Sequence, residues 1–357
     1  MSRIGIVGAN GQVAAEVALI LHQAGYDVVP ICRGPRGSAF LRYMGLAVRH
    51  GSASDLEDAK RLYADCDVIA NFALASGTAA EIREAHDRLI DNSFRASPEG
   101  ASVIFFSTLA ANANFVAEGS KVQRSAYGRE KLRNEAQVAK LARATARRAI
   151  TLRLGHVCGE YQGITHAVRQ AITAGPVMVP DSARHANAVA TVTIADVIAG
   201  VAEGRIAAEG RYDLVNTPRW DWRTLLDYEA AQAQATLVIV ETRAAVARSG
   251  NPIKVAMRGI ARAAFGSAML KNQSARLLAL LPGRMNDQVK SRYFAQRARN
   301  EIAALSTMVA PVQVDAALVP GMDTTLPRGL RDTGALLADA AWRAPVSPVG
   351  PSWPADR

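Results

Sequence analysis

An α/β architecture built on a doubly wound parallel sheet is predicted by three features of the sequence. Short apolar runs of strand length alternate with helical stretches from Arg3 to Leu154, a glycine-containing turn separates the first run from the first helix, and helical periodicity dominates from Trp220 onward, where a smaller, mostly helical subdomain is expected. Strands joined through helices must run in the same direction, so the sheet is expected to be parallel.

The first strand is Arg3-Ile4-Gly5-Ile6-Val7, and the turn Gly8-Ala9-Asn10-Gly11-Gln12-Val13-Ala14 opens into a helical pattern through Ala18, Leu19, Leu21 and Ala24. Tyr26–Cys32 makes the second strand and completes a βαβ unit. The alternation continues with a helix near Ser38–Met44, a strand at Leu46–His50, a helix at Asp55–Ala64 and a strand at Asp67–Ala73. A helix at Ala79–Ser97, the strand Ser102–Phe106, a helix carrying Tyr127 out to about Thr145 and the strand Ala149–Leu154 follow. After Gly159 the pattern breaks up. Val189–Thr193 and Tyr212–Val215 read as strands returning to the sheet or its flank, and Thr236–Val240 as a strand among helices. The expected domains are 1–217, with 156–189 facing the substrate, then 218–340, and a proline-rich tail at 341–357 whose Ala344–Pro354 stretch reads as extended.

A chain of 357 residues, 49% hydrophobic and 21% charged, can bury one large core with a smaller unit attached. No window approaches 18 uncharged apolar residues, and the start runs into the glycine turn instead of a signal-peptide core, so a cytoplasmic protein is expected. Cys32, Cys66 and Cys158 are scattered singly, which excludes a disulfide framework or a CxxC knuckle, and the six histidines lack ligand spacing, so no metal is expected. The net charge of +10 is local: twelve Lys or Arg lie between Arg243 and Asn300 against the single acid Asp287. Such a field attracts phosphates, nucleic acid or an anionic membrane, and equally describes a solvated helical face.

Gly8-x-x-Gly11-x-x-Ala14 between a first strand and a first helix has the form of a dinucleotide-binding turn, in which small residues let the backbone approach a pyrophosphate and the helix N-terminus offers it free N–H groups. Where an acid usually meets the adenosine ribose at the end of the second strand, this chain has Cys32-Arg33, with Arg36 nearby. A guanidinium can grip a 2′-phosphate bidentately, so NADP(H) is expected in preference to NAD(H). Further along, Tyr127 and Lys131 stand four residues apart and share one helical face, an arrangement that can aim a phenol and an ammonium into one pocket.

Taken in order, these motifs resemble the extended short-chain dehydrogenase/reductases, the NAD(P)-dependent epimerase/dehydratase family, from Ile4 to about Val215. Gly51-Ser52-Ala53 resembles the family's segment near the adenine, with Ser52 where an acid is usual; Asp67–Ala73 is similar to its fourth strand; Val103–Thr108 ends in the serine–threonine pair that supplies a hydroxyl; and Glu135 follows Lys131 at the usual spacing. Leu152–Gly159 resembles a segment in which His156 replaces an Asn and Cys158 a Tyr. The resemblance implies a Rossmann fold and a nicotinamide cofactor held by Gly8, Asn10, Gly11, Gln12, Val13, Arg33, Arg36, Ser52, Ala53, Phe72, Ala73, Tyr127, Lys131, Leu154 and His156. It also implies proton transfer by Tyr127 beside Lys131, with Thr108, or its neighbour Ser107, polarising the substrate oxygen. His156 and Cys158 would face the substrate, and a homodimer would form through the Tyr127 helix.

Leu109-Ala110 follows Thr108 where the family's dehydratases carry an Asp-Glu pair, so elimination chemistry lacks its acid and base. An NADPH-dependent ketoreductase, or epimerase, acting on an anionic nucleotide sugar is expected, with part of the basic window meeting the diphosphate. A reductase of a hydrophobic ketone, resting on a membrane surface through Ile253–Leu281, is the alternative, and a non-catalytic cofactor-binding sensor or structural subunit the second. Nucleic acid is not an expected partner, since aromatic content is 6% and no recognition module surrounds the basic window.

Overall fold

The computed structural model describes residues 2–75, 79–111, 126–179, 181–183, 185–207, 209–216, 220–241 and 346–348. Most of the expected subdomain 218–340, the basic window and nearly all of the tail lie outside the described residues.

The expected alternation is present. β1 (Arg3–Val7), α1 (Gln12–Gln23), β2 (Asp27–Cys32), α2 (Ala39–Tyr43), β3 (Arg49–His50), α3 (Leu56–Tyr63) and β4 (Val68–Asn71) are followed by α4 (Ala79–Arg95), β5 (Ser102–Thr108), α5 (Ala126–Thr145) and β6 (Ala149–Leu154). Beyond them come β7 (His156–Cys158), α6 (Gly163–Thr173), β8 (Val177–Val179), β9 (Ala188–Ala190), α7 (Thr191–Ala202), β10 (Gly210–Leu214), α8 (Trp222–Gln232), β11 (Ile239–Glu241) and β12 (Val346–Pro348).

Seven strands form one parallel sheet in the order β3-β2-β1-β4-β5-β6-β10, and β12 pairs antiparallel on its β10 edge. The direction of winding reverses between β1 and β4, so a crevice opens at the carboxyl ends of those strands. Central strands are mainly apolar because helices cover both faces. On one side Val17 and Leu21 of α1 pack in a common cluster with Ile194 and Ile198 of α7; on the other, Leu62 and Tyr63 of α3, and Phe94 of α4 with Val138 of α5, close separate clusters. α3 begins where the Asp55 carboxylate accepts the Asp58 N–H at 2.9 Å, and α8 where Asp221 accepts that of Thr224 at 2.7 Å.

Several boundaries differ from expectation. The strand expected at Leu46–His50 is only Arg49–His50, since Gly45 turns the chain at φ +87° and Leu46 packs into the core before pairing begins. A 3₁₀ turn at Arg36–Ser38 precedes α2. Val189–Thr193 is a strand only to Ala190; Thr191 starts α7, whose β-branched composition reads as strand although eleven of its residues are buried. Burial on all sides overrides its helix propensity. Thr236–Val240 shifts to β11, paired parallel with β8, and β7 pairs with β9 through His156 and Ala188.

Candidate active site

The crevice at the reversal of winding holds a cavity of about 230 Å³. Of the residues expected to hold a dinucleotide, Gly8, Asn10, Gly11, Arg33, Ser52, Ala53, Phe72 and Ala73 line it, joined by Cys32 and the Leu74–Ala75 rim. The turn is locked to β2, the Gly8 and Ala9 amides both donating to the Ile31 carbonyl. Gly8 has φ +75°, and a Cβ there would lie 2.8 Å from Ala73 Cα, so both the turn and the approach of β4 require glycine. Gln12 and Val13 begin α1 directly behind the turn; its first turn contains no acid and Gly11 supplies no side-chain cap, leaving N–H groups for an anion. Arg33 is exposed and lines both this cavity and a shallower one bounded by Asn10, Gly34, Pro35 and Gly37. Arg36 begins the 3₁₀ turn beyond it. The glycine turn, the open amides of α1 and the cavity fit a dinucleotide cofactor.

Three side chains outside the expected set shape the cavity. Asn71, the last residue of β4, accepts the Ala73 N–H at 3.0 Å and donates to Ser93 Oγ at 3.0 Å; Asn92 donates to the Ala53 carbonyl at 3.0 Å; and His86 Nε2 accepts the Ala75 N–H at 3.1 Å. Ser52 donates its N–H to Asp58 at 2.8 Å and keeps its hydroxyl 2.9 Å from that of Ser54.

Phe72 stacks on Phe106 with ring centroids 3.8 Å apart, and this contact carries the cavity onto the end of β5. There Lys131, 7% exposed, donates through Nζ to the Phe106 carbonyl at 2.9 Å and stands 5.0 Å from the Phe105 ring and 6.0 Å from that of Tyr127. Burial pulls the Lys131 ammonium down to about 8, against the pull of Glu135 and Glu130. Tyr127 keeps half of its surface exposed, and partial desolvation raises its phenol above the ordinary value.

Thr108 ends β5 beside Leu154 of β6 and accepts the Ala110 N–H at 3.3 Å through Oγ1, which leaves its hydroxyl proton free to direct elsewhere. Ser107, the other expected hydroxyl, points into the core and donates to Glu135 at 2.6 Å. Glu135 also takes a bidentate pair from Arg153 at 2.7 and 2.8 Å, both residues being buried, so Ser107 belongs to that ion pair rather than to the crevice.

His156 and Cys158 are not brought to the cavity wall. The His156 ring lies 6.0 Å from that of Trp222, and burial pushes it down to about 4, so it is neutral near pH 7. Cys158 sits in the main core cluster, where burial drives its thiol up; it packs the core in place of the substrate contact expected of it. The segment after β7 is clamped instead by Glu16 of α1, whose buried carboxylate accepts the Glu160 and Tyr161 amides, Gln162 Nε2 at 2.6 Å and Thr191 Oγ1 at 2.9 Å. Gly159 makes this possible, as a Cβ there would lie 2.5 Å from the Glu16 oxygens. Among the described residues no His, Cys, Asp and Glu cluster could hold a metal ion, and no helix is long and apolar enough to cross a membrane.

Comparison with known proteins agrees with this geometry. The NAD dependent epimerase/dehydratase family matches residues 4–180. Similar folds occur in UDP-N-acetylglucosamine 4-epimerase from Bacillus cereus (15% identity, 68% of this chain and 86% of that chain, TM-score 0.52) and in the UDP-Glc/GlcNAc 4-epimerase from Campylobacter jejuni (14% identity, 68% and 88%, TM-score 0.51). MoeE5 in complex with UDP-glucose and NAD is a third (17% identity, 68% and 86%, TM-score 0.50). At these identities the likeness is one of fold. No curated protein matches the chain. A glycine turn at the first crossover, a seven-stranded parallel sheet and the match over residues 4–180 make the chain a member of the NAD dependent epimerase/dehydratase family, enzymes of the extended short-chain dehydrogenase/reductase type.

Proposed function

We propose that the protein is an NADPH-dependent ketoreductase of a nucleotide sugar, with Tyr127, Lys131 and Thr108 as its catalytic residues. One observation carries the reading: the Lys131 ammonium is tied to the Phe106 carbonyl at the end of β5, next to the Phe72–Phe106 stack that joins it to the Gly8 cavity. A buried lysine with that placement costs stability, and a role at the crevice accounts for it.

Gly8, Gly11 and the first turn of α1 would hold the pyrophosphate, Ser52 and Ala53 the adenosine, Arg33 its 2′-phosphate, and Phe72, Ala73 and Lys131 the nicotinamide side. When bound, the dinucleotide supplies hydride. Thr108 Oγ1 donates a hydrogen bond to the substrate oxygen and orients it, while Tyr127 gives that oxygen its phenolic proton. Lys131, protonated below about pH 8, steadies the phenolate left behind.

A nucleotide sugar is preferred because the similarly folded proteins named above are 4-epimerases of UDP sugars or carry UDP-glucose. The same names favour epimerisation as the second reading. Incubating the protein with NADPH or NADH and a panel of keto and hydroxy nucleotide sugars separates the two: reduction consumes NADPH absorbance, epimerisation leaves absorbance unchanged and yields the C4 epimer. Neither change with any nucleotide sugar, alongside turnover of a hydrophobic ketone, would replace the substrate class.

A further inference from the structure

His86 lies on α4, outside every motif that the sequence singles out, yet it bridges the two halves of the crevice. Its Nε2 accepts the Ala75 N–H at 3.1 Å, and Ala75 lines the cavity two residues beyond Ala73. A nitrogen that accepts from an amide is unprotonated, so the ring proton sits on Nδ1, 3.4 Å from the Asn134 side-chain amide, which accepts it when its oxygen is turned to the ring. Asn134 follows Lys131 by three residues on α5 and is fully buried, as is His86 itself. The rim 72–75 is thus fixed at two amides, Ala73 by Asn71 of its own strand and Ala75 by His86 from the neighbouring helix.

We propose that His86 is a positioning residue that ties the cavity rim to the helix bearing Tyr127 and Lys131, and that protonation of its ring releases the rim and weakens dinucleotide binding. The proposal rests on the Gly8 cavity being the dinucleotide site. A protonated imidazole has no lone pair for the Ala75 amide, so the bond is lost and two N–H groups are set against each other. The charges facing the ring are Lys131, Glu130 and Arg133 from α5 and Asp87 from its own helix. Burial first, then Lys131, lowers its pKa below the ordinary 6.5, which keeps the ring neutral and the rim held at neutral pH.

Binding of NADPH, read by fluorescence titration from pH 8 to pH 5, tests this in the wild type, His86→Gln and His86→Ala. Glutamine places an amide oxygen close to the Nε2 position and does not titrate. Wild-type affinity is expected to hold near neutrality and to fall about five- to ten-fold on the acid side, the worth of one hydrogen bond. His86→Gln should bind like the wild type at pH 7.5 and lose the acid limb, whereas His86→Ala should be weak at every pH. Hydrogen exchange of the Ala75 amide, corrected for its intrinsic pH dependence, should quicken at low pH in the wild type but not in His86→Gln, and this needs no ligand. An unchanged acid limb in His86→Gln, or an Ala75 amide equally protected across the pH range, overturns the proposal. Failure of the wild type to bind either NADPH or NADH removes the cavity assignment instead, with the exchange rates still reporting on His86.

Discussion

Lys131 pays for its position, being buried with an ammonium whose pKa falls to about 8. The unfolded chain, with a lysine near 10.4, binds more protons between those values, so stability rises with pH from about 8 to about 10. Lys131→Met should therefore raise neutral-pH stability, by about 1–3 kcal/mol once loss of the bond to the Phe106 carbonyl is set against the relief of burying a charge. It should abolish turnover in the same step; denaturant unfolding and a rate assay on one preparation check both. In the intact enzyme the rate should decline above about pH 8 as the ammonium deprotonates. Tyr127→Phe removes only a hydroxyl from a half-exposed ring, so NADPH should bind within about two-fold of the wild type while kcat falls by about a thousand-fold or more.

At the scale of elements, the crevice is made by the ends of β1, β2 and β4, where Gly8 lies against Ala73. Gly8→Ala must strain a positive φ and press a methyl onto β4, so a loss of about 1–3 kcal/mol and of measurable NADPH binding is expected from thermal melts with and without cofactor. The glycine turn, the βαβ order and the Tyr127–Lys131 face were legible in the sequence because each depends on local spacing. Asn92 and His86 were not, since each acts by meeting a backbone atom of another segment, 39 residues away for Asn92, nor was Asn71, whose amide reaches Ser93 of α4. The only available hint was a polar residue closing the apolar run Val68–Asn71. Ser107 misled for a related reason: adjacent hydroxyls on a strand face opposite sides, and the structure alone reveals which side holds Glu135. The α7 start was misread because a fully buried helix carries no amphipathic period.

Across the described residues, side chains far apart in sequence converge on the carboxyl ends of the strands, and the buried pair Glu135–Arg153 ties the Tyr127 helix to β6 behind them. Removing one partner leaves a buried charge, so Glu135→Ala should cost about 3–5 kcal/mol in unfolding free energy. At the opposite end of the cavity Arg33 is exposed, so its loss should leave the fold intact. Arg33→Ala is expected to weaken NADPH binding about ten-fold or more and NADH binding by less than about two-fold, as calorimetry of both ligands would read. The most direct measurement is a crystal structure of the wild-type protein grown with NADPH. Density should run from Arg33 past Gly8 and place the nicotinamide ring beside Tyr127 and Lys131; a dinucleotide bound elsewhere, or bound with that ring remote from both side chains, would contradict the assignment.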